Sequence, residues 1–131
     1  MLKHIHVEIT REALSGRFSP RALAIISAAN LRQDALRGQI GHHEYHFDNN
    51  AMDASHRYIN EQRGFVLASL LLPNSSSAWP AFGRVIHTAQ DFYAHTNYVS
   101  LWLSRYRDSA PPPPSEIDPV EKSLIHSPDL H

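Results

Sequence analysis

The sequence predicts an all-α fold, an antiparallel helical bundle, and three observations support this. Apolar residues recur at helical spacing over long stretches, no alternating strand pattern of useful length lies between these stretches, and their connections are short. The 131 residues can bury one core, and they contain no internal repeat. One helical domain is therefore expected.

The first part of the chain predicts a short helix and then a long one. The short helix is expected over residues 10–14. Ser19 can cap the long helix, Pro20 suits its first position, and residues 21–35 are rich in helix formers. Gly38 and Gly41 are expected to end it.

A second long helix is expected in the middle of the chain. Asp48, Asn49 or Asn50 can supply its N-cap, and Pro73 stops it. Between these points the residues of its buried stripe recur at roughly helical spacing: Met52, Ser55, Ile59, Val66 and Leu70.

A third helix is expected from about Ser77 to about Arg107, with Pro80 tolerated in its first turn. Residues 111–114 are prolines, which form an extended linker. We therefore divide the chain into a helical domain, residues 1–108, and a Pro-rich linker and tail, residues 109–131, which could be the end of a fragment. The third helix is expected to bury a stripe made of Phe82, Val85, Ile86, Ala89, Phe92, Val99 and Trp102.

Composition restricts the classes of function. Twelve Lys and Arg against thirteen Asp and Glu give a net charge of −1, which does not indicate binding to duplex nucleic acid or to an anionic membrane. Without cysteine, any metal must be held by nitrogen and oxygen donors. The longest apolar stretch, residues 65–72, is too short to span a bilayer, and no signal-peptide region is visible. We expect a soluble, cytoplasmic protein.

Three donor residues form one ridge on the third helix. His87, Asp91 and His95 are spaced four residues apart, so each lies about 6 Å along the axis from the previous one. Asp91 can share one ion with His87 and a second ion with His95. Since His87 and His95 are about 12 Å apart, they cannot meet at one ion, and Asp91 is the natural bridging ligand.

Two ions bridged by a carboxylate are typical of enzymes that hydrolyse phosphate esters. Asp91 is therefore the candidate catalytic residue, and Arg84, one turn before His87, could contact a phosphate or lie at the surface. The alternative for the ridge is an ordinary surface ion pair. Further donors are expected from other segments, since a metal that activates water needs three or four protein ligands: His6, Asp34, His46, and as further candidates His4 and Asp48, the last of which could equally cap a helix. The remaining histidines are assigned to ordinary surface or core positions: His42, His43, His56, His126 and His131.

The order of these segments resembles a known family. The similarity lies in HVEITREAL at 6–14, NLRQD at 30–34, EYHFD at 44–48 and GRVIHTAQDFYAHTNYV at 83–99. They resemble heterokaryon incompatibility protein C and its bacterial relatives, a family distantly similar to zinc-dependent phospholipase C and the fungal single-strand nucleases. The resemblance implies a helical fold of that kind and a zinc cluster. Its ligands would be His6 from the first helix, Asp34 from the second, His46 from a loop, and His87 and Asp91 from the third.

Departures from that family pattern restrict the metal count. The spacing from Asp91 to His95 is shorter than in the phospholipases, no downstream His-x-x-x-Glu follows, and His6 precedes Val7 instead of glutamate. One or two zinc ions, or another divalent metal, are expected.

Three functions stay open at this point. The first is a hydrolase that acts on a small phosphate ester or lipid headgroup through metal-activated water. The second is a binding or signalling module with a structural metal. The third is a domain that binds no metal. The oligomeric state is left open.

Overall fold

The computed structural model describes residues 1–117 and 120–131, and these residues form α-helices, 3₁₀ turns and loops without a strand. This confirms the all-α prediction, while the antiparallel arrangement stays a prediction. Among the described residues, no helix combines the length and the apolar character needed to cross a bilayer. The α-helices are α1 (Lys3–Leu14), α2 (Pro20–Gln33), α3 (Leu36–Gln39), α4 (Met52–Leu70), α5 (Ala78–His95), α6 (Tyr98–Leu103) and α7 (Lys122–Ile125).

Helix α5 is central, because it packs against both α2 and α4, while α1 packs against α2. Its contact with α2 requires a glycine. A Cβ on Gly83 would lie 2.3 Å from the carbonyl oxygen of Ile26 and 2.8 Å from the Cβ of Ala29. The absence of a side chain at Gly83 therefore lets α5 approach the backbone of α2.

The long helix at Ser19 begins as predicted. Ser19 is the N-cap of α2, its Oγ accepts a hydrogen bond of 3.2 Å from the backbone N–H of Ala22, and Pro20 is the first helical residue.

The predicted start of the first helix at residue 10 is wrong, because α1 begins at Lys3 and ends at Leu14. The buried side chains of α1 are His6 and Thr10, four residues apart, and both are polar. A stripe of this kind does not register as apolar periodicity, although it lies on one face of the helix.

The caps expected for α4 at residues 48–50 are also wrong. This segment forms a 3₁₀ turn, Ala51 directly precedes the helix, and no side chain caps it. Asn49 and Asn50 have φ values of 52° and 58°, in the left-handed region that asparagine tolerates better than most residues. The turn therefore occupies the positions that a simple N-cap would need.

The third helix is not continuous to Arg107. Helix α5 ends at His95, and Thr96 is extended, with φ −105° and ψ 167°. The Oγ1 of Thr96 donates to the carbonyl of Phe92 at 2.6 Å and accepts the backbone N–H of Tyr98 at 3.2 Å. This side chain thus replaces helical hydrogen bonds at the break between α5 and α6.

The buried face of α5 also differs from the predicted stripe. Of the predicted residues only Phe92 is buried, whereas Val99 is exposed in α6. The buried residues of α5 instead include His87, Gln90 and Asp91. Four of the eight buried residues of α5 are polar, and polar groups packed against neighbouring helices require polar partners on those helices.

An apolar cluster of buried residues includes part of the tail. Leu124 of α7 is buried together with Phe47, Phe92 and Tyr98. The hydroxyl of Tyr98 also accepts the backbone N–H of Glu121 at 2.8 Å. The tail therefore contacts the helical part of the chain, and the division at residue 108 stays a prediction.

Candidate metal centre

Three imidazoles and two carboxylates converge beside α5. His6 comes from α1, Asp34 is the C-cap of α2, His46 lies in the loop before α4, and His87 and Asp91 lie on α5. All five residues are buried, and Asp91 has no exposed surface. Charged and polar groups at this depth require partners.

The loop that carries His46 is held by its neighbour. Phe47 has a φ of 57°, in the left-handed region, yet it is buried with its ring 5.2 Å from that of Phe92. A left-handed phenylalanine costs roughly 1–2 kcal/mol, which the apolar contact offsets. The packing of Phe47 thus keeps His46 at the centre.

Asp91 faces a different imidazole with each carboxylate oxygen. Its Oδ2 lies 2.9 Å from His46 Nδ1 and 3.0 Å from His87 Nε2. Its Oδ1 lies 3.3 Å from His6 Nε2. Asp91 has the placement of a bridging carboxylate.

The two carboxylate oxygens of Asp34 also face different imidazoles. Its Oδ1 lies 3.9 Å from His87 Nε2, and its Oδ2 lies 3.7 Å from His6 Nε2. One donor atom from each of His6, Asp34, His87 and Asp91 lies within 4.8 Å of the others. Since neighbouring donors around tetrahedral zinc are about 3.4 Å apart, at bond lengths of about 2.0–2.1 Å, these separations fit a metal ion.

Two donor atoms of the centre lack hydrogen-bond partners. Both His6 Nε2 and Asp34 Oδ2 are buried without one. A buried polar atom left alone is costly, whereas a metal ligand needs no hydrogen bond at that atom. These atoms support a cation between the imidazole and the carboxylate.

The outer nitrogen of each imidazole faces an oxygen acceptor. His6 Nδ1 lies 2.6 Å from Gln90 Oε1, and His87 Nδ1 lies 3.1 Å from Asn30 Oδ1. His46 Nε2 lies 3.3 Å from the carbonyl oxygen of Gly38, which can only accept. Each outer nitrogen therefore carries the proton, and in a neutral ring the inner nitrogen presents its lone pair to the carboxylates.

Without a metal, protons must separate these rings from Asp91. Burial alone lowers the pKa of His6 and of His46, but the neighbouring Asp91 carboxylate outweighs it, so both pKa values lie above the usual value. For His87 burial prevails and lowers the pKa. Burial alone would raise the pKa of Asp91, but the adjacent imidazoles of His46, His6 and His87 hold it well below its usual range. Asp91 is thus ionised at neutral pH and attracts a cation.

His95 and Asp48 lie at the rim of the centre. His95 Nδ1 is 2.8 Å from Asp48 Oδ1, while His95 Nε2 is 3.7 Å from Asp91 Oδ1. The amine of Met1 also lies 3.2 Å from Asp91 Oδ1. The side chains of His95 and Asp48 are 28% and 45% exposed, so the centre meets solvent on this side.

Two candidates lie apart from the converging donors. His4 is exposed on α1. Arg84 donates through Nε to Gln62 Oε1 of α4, so its guanidinium is engaged with that helix. A phosphate contact by Arg84 stays a prediction.

Three residues of the centre were missed from the sequence: Asn30, Gly38 and Gln90. Gln90 precedes Asp91 and is three residues after His87, so its helical position gave a signal for a buried amide beside the ridge. The carbonyl of Gly38 gave none, because any residue has one. A Cβ at Gly38 would lie 2.2 Å from the carbonyl oxygen of Gln33, so the local backbone requires glycine.

A family model described as the VWA7 N-terminal domain matches residues 2–120, a range that includes every donor of the centre. The chain belongs to this family. The comparison of this chain with curated proteins found no match, and neither did the comparison with solved structures.

The resemblance to heterokaryon incompatibility protein C, phospholipase C and the fungal nucleases is wrong, since the matching family is a different one. The motifs that suggested it consist largely of imidazoles and carboxylates at helical spacing. Such residues are what a nitrogen- and oxygen-liganded metal site in a helical protein needs, so they indicate chemistry and not descent. The function of this VWA7 N-terminal domain therefore has to be argued from its own residues.

Proposed function

We propose that this domain holds one or two divalent ions, with zinc the first candidate, and that it hydrolyses a phosphate ester with metal-activated water. The main support for the proposal is that the two carboxylate oxygens of Asp91 face different imidazoles. Its Oδ2 faces His46 and His87, while its Oδ1 faces His6. A carboxylate whose two oxygens face different donors suits a pair of ions that act together on one phosphate.

The donor set supports zinc or a similar ion. His6, His46 and His87 would supply nitrogen, and Asp34 and Asp91 would supply oxygen and offset the charge of the ion. When bound, zinc supplies a Lewis acid that lowers the pKa of water to about 7.

The rim supports access by a substrate. The carboxylate of Asp48 orients the His95 ring through Nδ1. The Nε2 of His95, which lies 2.8 Å from the amine of Met1, could then hold or transfer a proton on the side that meets solvent. A small phosphate ester or a lipid headgroup is the proposed substrate class, and the net charge of −1 disfavours duplex nucleic acid.

Metal content and phosphodiester hydrolysis test this proposal together. Purified wild-type protein, loaded with zinc, should contain stoichiometric metal and hydrolyse bis(4-nitrophenyl) phosphate. Asp91→Asn should lose both properties. Asp53→Asn is the matched control, because Asp53 is exposed in the first turn of α4 and should retain both. Zinc-free wild-type protein, or full activity in Asp91→Asn, would contradict the proposal.

A structural metal is the second candidate, and the burial of the donors favours it. His6, Asp34, His46 and Asp91 come from four separate segments, and none is more than 8% exposed. An ion would tie these segments together and contribute to folding. Bound zinc, a large drop in melting temperature after chelation and no turnover would support this function over hydrolysis.

A further inference from the structure

Two buried amide side chains form a hydrogen-bonded network behind the centre. Gln90 Oε1 accepts from Asn30 Nδ2 at 3.0 Å and faces His6 Nδ1 at 2.6 Å. Gln90 is 8% exposed and Asn30 is 1% exposed. Both amides are therefore held by protein groups in place of bulk water.

We propose that Gln90 is a positioning residue of the metal centre: by accepting the Nδ1 proton of His6, it aims the Nε2 lone pair of His6 at Asp34 and Asp91. This inference rests on the proposed metal function and adds a residue that touches no ion.

The surroundings of Gln90 determine which end of its amide faces His6. Its Nε2 donates to the carbonyl oxygen of His6 at 3.4 Å and to Thr10 Oγ1 at 3.2 Å. If the amide were reversed, its oxygen would face that carbonyl oxygen, and its NH₂ would face the NH₂ of Asn30. Both contacts are repulsive, so Oε1 is the atom beside His6 Nδ1.

The oxygen of Gln90 in turn determines the tautomer of His6. Because Oε1 can only accept, the proton of a neutral His6 lies on Nδ1 and its lone pair lies on Nε2. Nε2 is the buried atom without a hydrogen bond, 3.3 Å from Asp91 Oδ1 and 3.7 Å from Asp34 Oδ2. In its neutral form the ring is thus oriented to bind an ion through Nε2.

Asn30 extends the arrangement to a second imidazole. Its Nδ2 donates to Gln90 and to Thr10 Oγ1, while its Oδ1 faces His87 Nδ1 at 3.1 Å. The rings of His6 and His87 stack with centroids 4.4 Å apart. One network therefore orients two donors from different helices, with Gln90 between them.

Zinc affinity in three variants tests the inference. Gln90→Leu removes the acceptor and should weaken zinc binding by about 10- to 100-fold. Gln90→Glu keeps an acceptor at His6 but places its second oxygen opposite the carbonyl oxygen of His6, so it should recover part of that loss. Gln62→Leu is the matched control, because Gln62 is a buried glutamine of α4 that accepts from Arg84 and has no hydrogen bond to a donor of the centre among the described residues, and the zinc affinity of this variant should equal that of the wild type. Competition with a fluorescent zinc chelator at one fixed pH gives the affinities, and circular dichroism checks folding.

The protonation of His6 gives a second readout that a merely structural role would not change. In zinc-loaded wild-type protein, ¹⁵N NMR should show the His6 proton on Nδ1, protected from exchange with water. In Gln90→Leu this protection should be lost. A wild-type spectrum with the proton on Nε2 would overturn the inference even if no Gln90 variant folds.

The outcomes separate this inference from the proposed function. Wild-type protein that binds zinc, together with equal affinity in Gln90→Leu, would overturn the role of Gln90 alone. An equal loss in Gln62→Leu would also overturn it, since the effect would then be general. Wild-type protein that binds no zinc would overturn the metal function, and the positioning role with it.

Discussion

Replacing Gly83 by alanine tests whether the close approach of α5 to α2 sets the geometry of the centre. The added Cβ would lie 2.3 Å from the carbonyl oxygen of Ile26 and 2.8 Å from the Cβ of Ala29. Neither atom can rotate away, because one belongs to the backbone and the other is bonded directly to it. The two helices must therefore separate by about 1 Å to restore van der Waals contact.

The magnitude follows from the size of the clash and of the chain. Overpacking of this kind costs about 1–3 kcal/mol of folding free energy. At about 2.1 cal/mol/K per residue, a chain of 131 residues has an unfolding entropy of about 0.28 kcal/mol/K. Gly83→Ala should therefore lower the melting temperature by about 4–11 °C.

The same displacement should weaken zinc binding. Asn30 and Asp34 belong to the α2 side of the centre, whereas His87 and Asp91 belong to α5. A shift of about 1 Å exceeds the tolerance of about 0.5 Å for such a site, so zinc affinity should fall by at least about tenfold. Competition with a zinc chelator measures this loss in the folded variant.

Gly64→Ala is the control for the glycine replacement itself. Gly64 lies within α4, and nothing would lie within 4 Å of an added Cβ. Alanine there should stabilise the helix by about 1 kcal/mol, which raises the melting temperature by roughly 4 °C. A Gly83→Ala protein that melts no lower than the wild type and binds zinc equally well would refute the packing argument.

Three further predictions concern protonation, a helix cap and the tail. Because the neighbouring Asp91 carboxylate raises the pKa of His6 and His46 despite burial, protons compete with zinc near neutrality. Zinc affinity should therefore rise from about pH 6 to pH 8, and calorimetry in two buffers should detect released protons. Ser19→Ala removes the cap of α2 and should cost about 1 kcal/mol in urea unfolding, with zinc affinity unchanged. Leu124→Ala should cost about 2–4 kcal/mol in the same assay, and no change would mean that the tail does not pack as described.

The sequence pattern predicted the donors on α5, because helix geometry by itself places residues four apart on the same face. His87 and Asp91 needed only that spacing. His6, Asp34 and His46 were named from their donor chemistry at helix ends and from a resemblance that proved wrong. The structure places all five together, although their role as ligands stays a prediction.

The elements that the sequence did not predict share a physical cause. The buried residues of α1, His6 and Thr10, are polar, and so are half of the buried residues of α5. A search for apolar stripes therefore overlooks the first part of α1 and misorients α5. The break after His95 depends on the hydroxyl of Thr96, which competes with helical hydrogen bonds in a way that composition does not reveal. In each of these places, contacts with other segments of the fold determined the local structure.

The polar face of α5 also has a consequence for folding. His87, Gln90 and Asp91 have to find partners on α1, α2 and the loop before α4, and the two amides, together with the backbone of Gly38, satisfy only the outer nitrogens of the imidazoles. The inner nitrogens face carboxylate oxygens, so the metal-free fold must take up protons there or leave lone pairs opposed to negative charge. A cation removes this conflict without moving a helix. The free energy of metal binding should therefore appear as folding stability in either proposed role, because the unfolded chain has no such conflict to relieve.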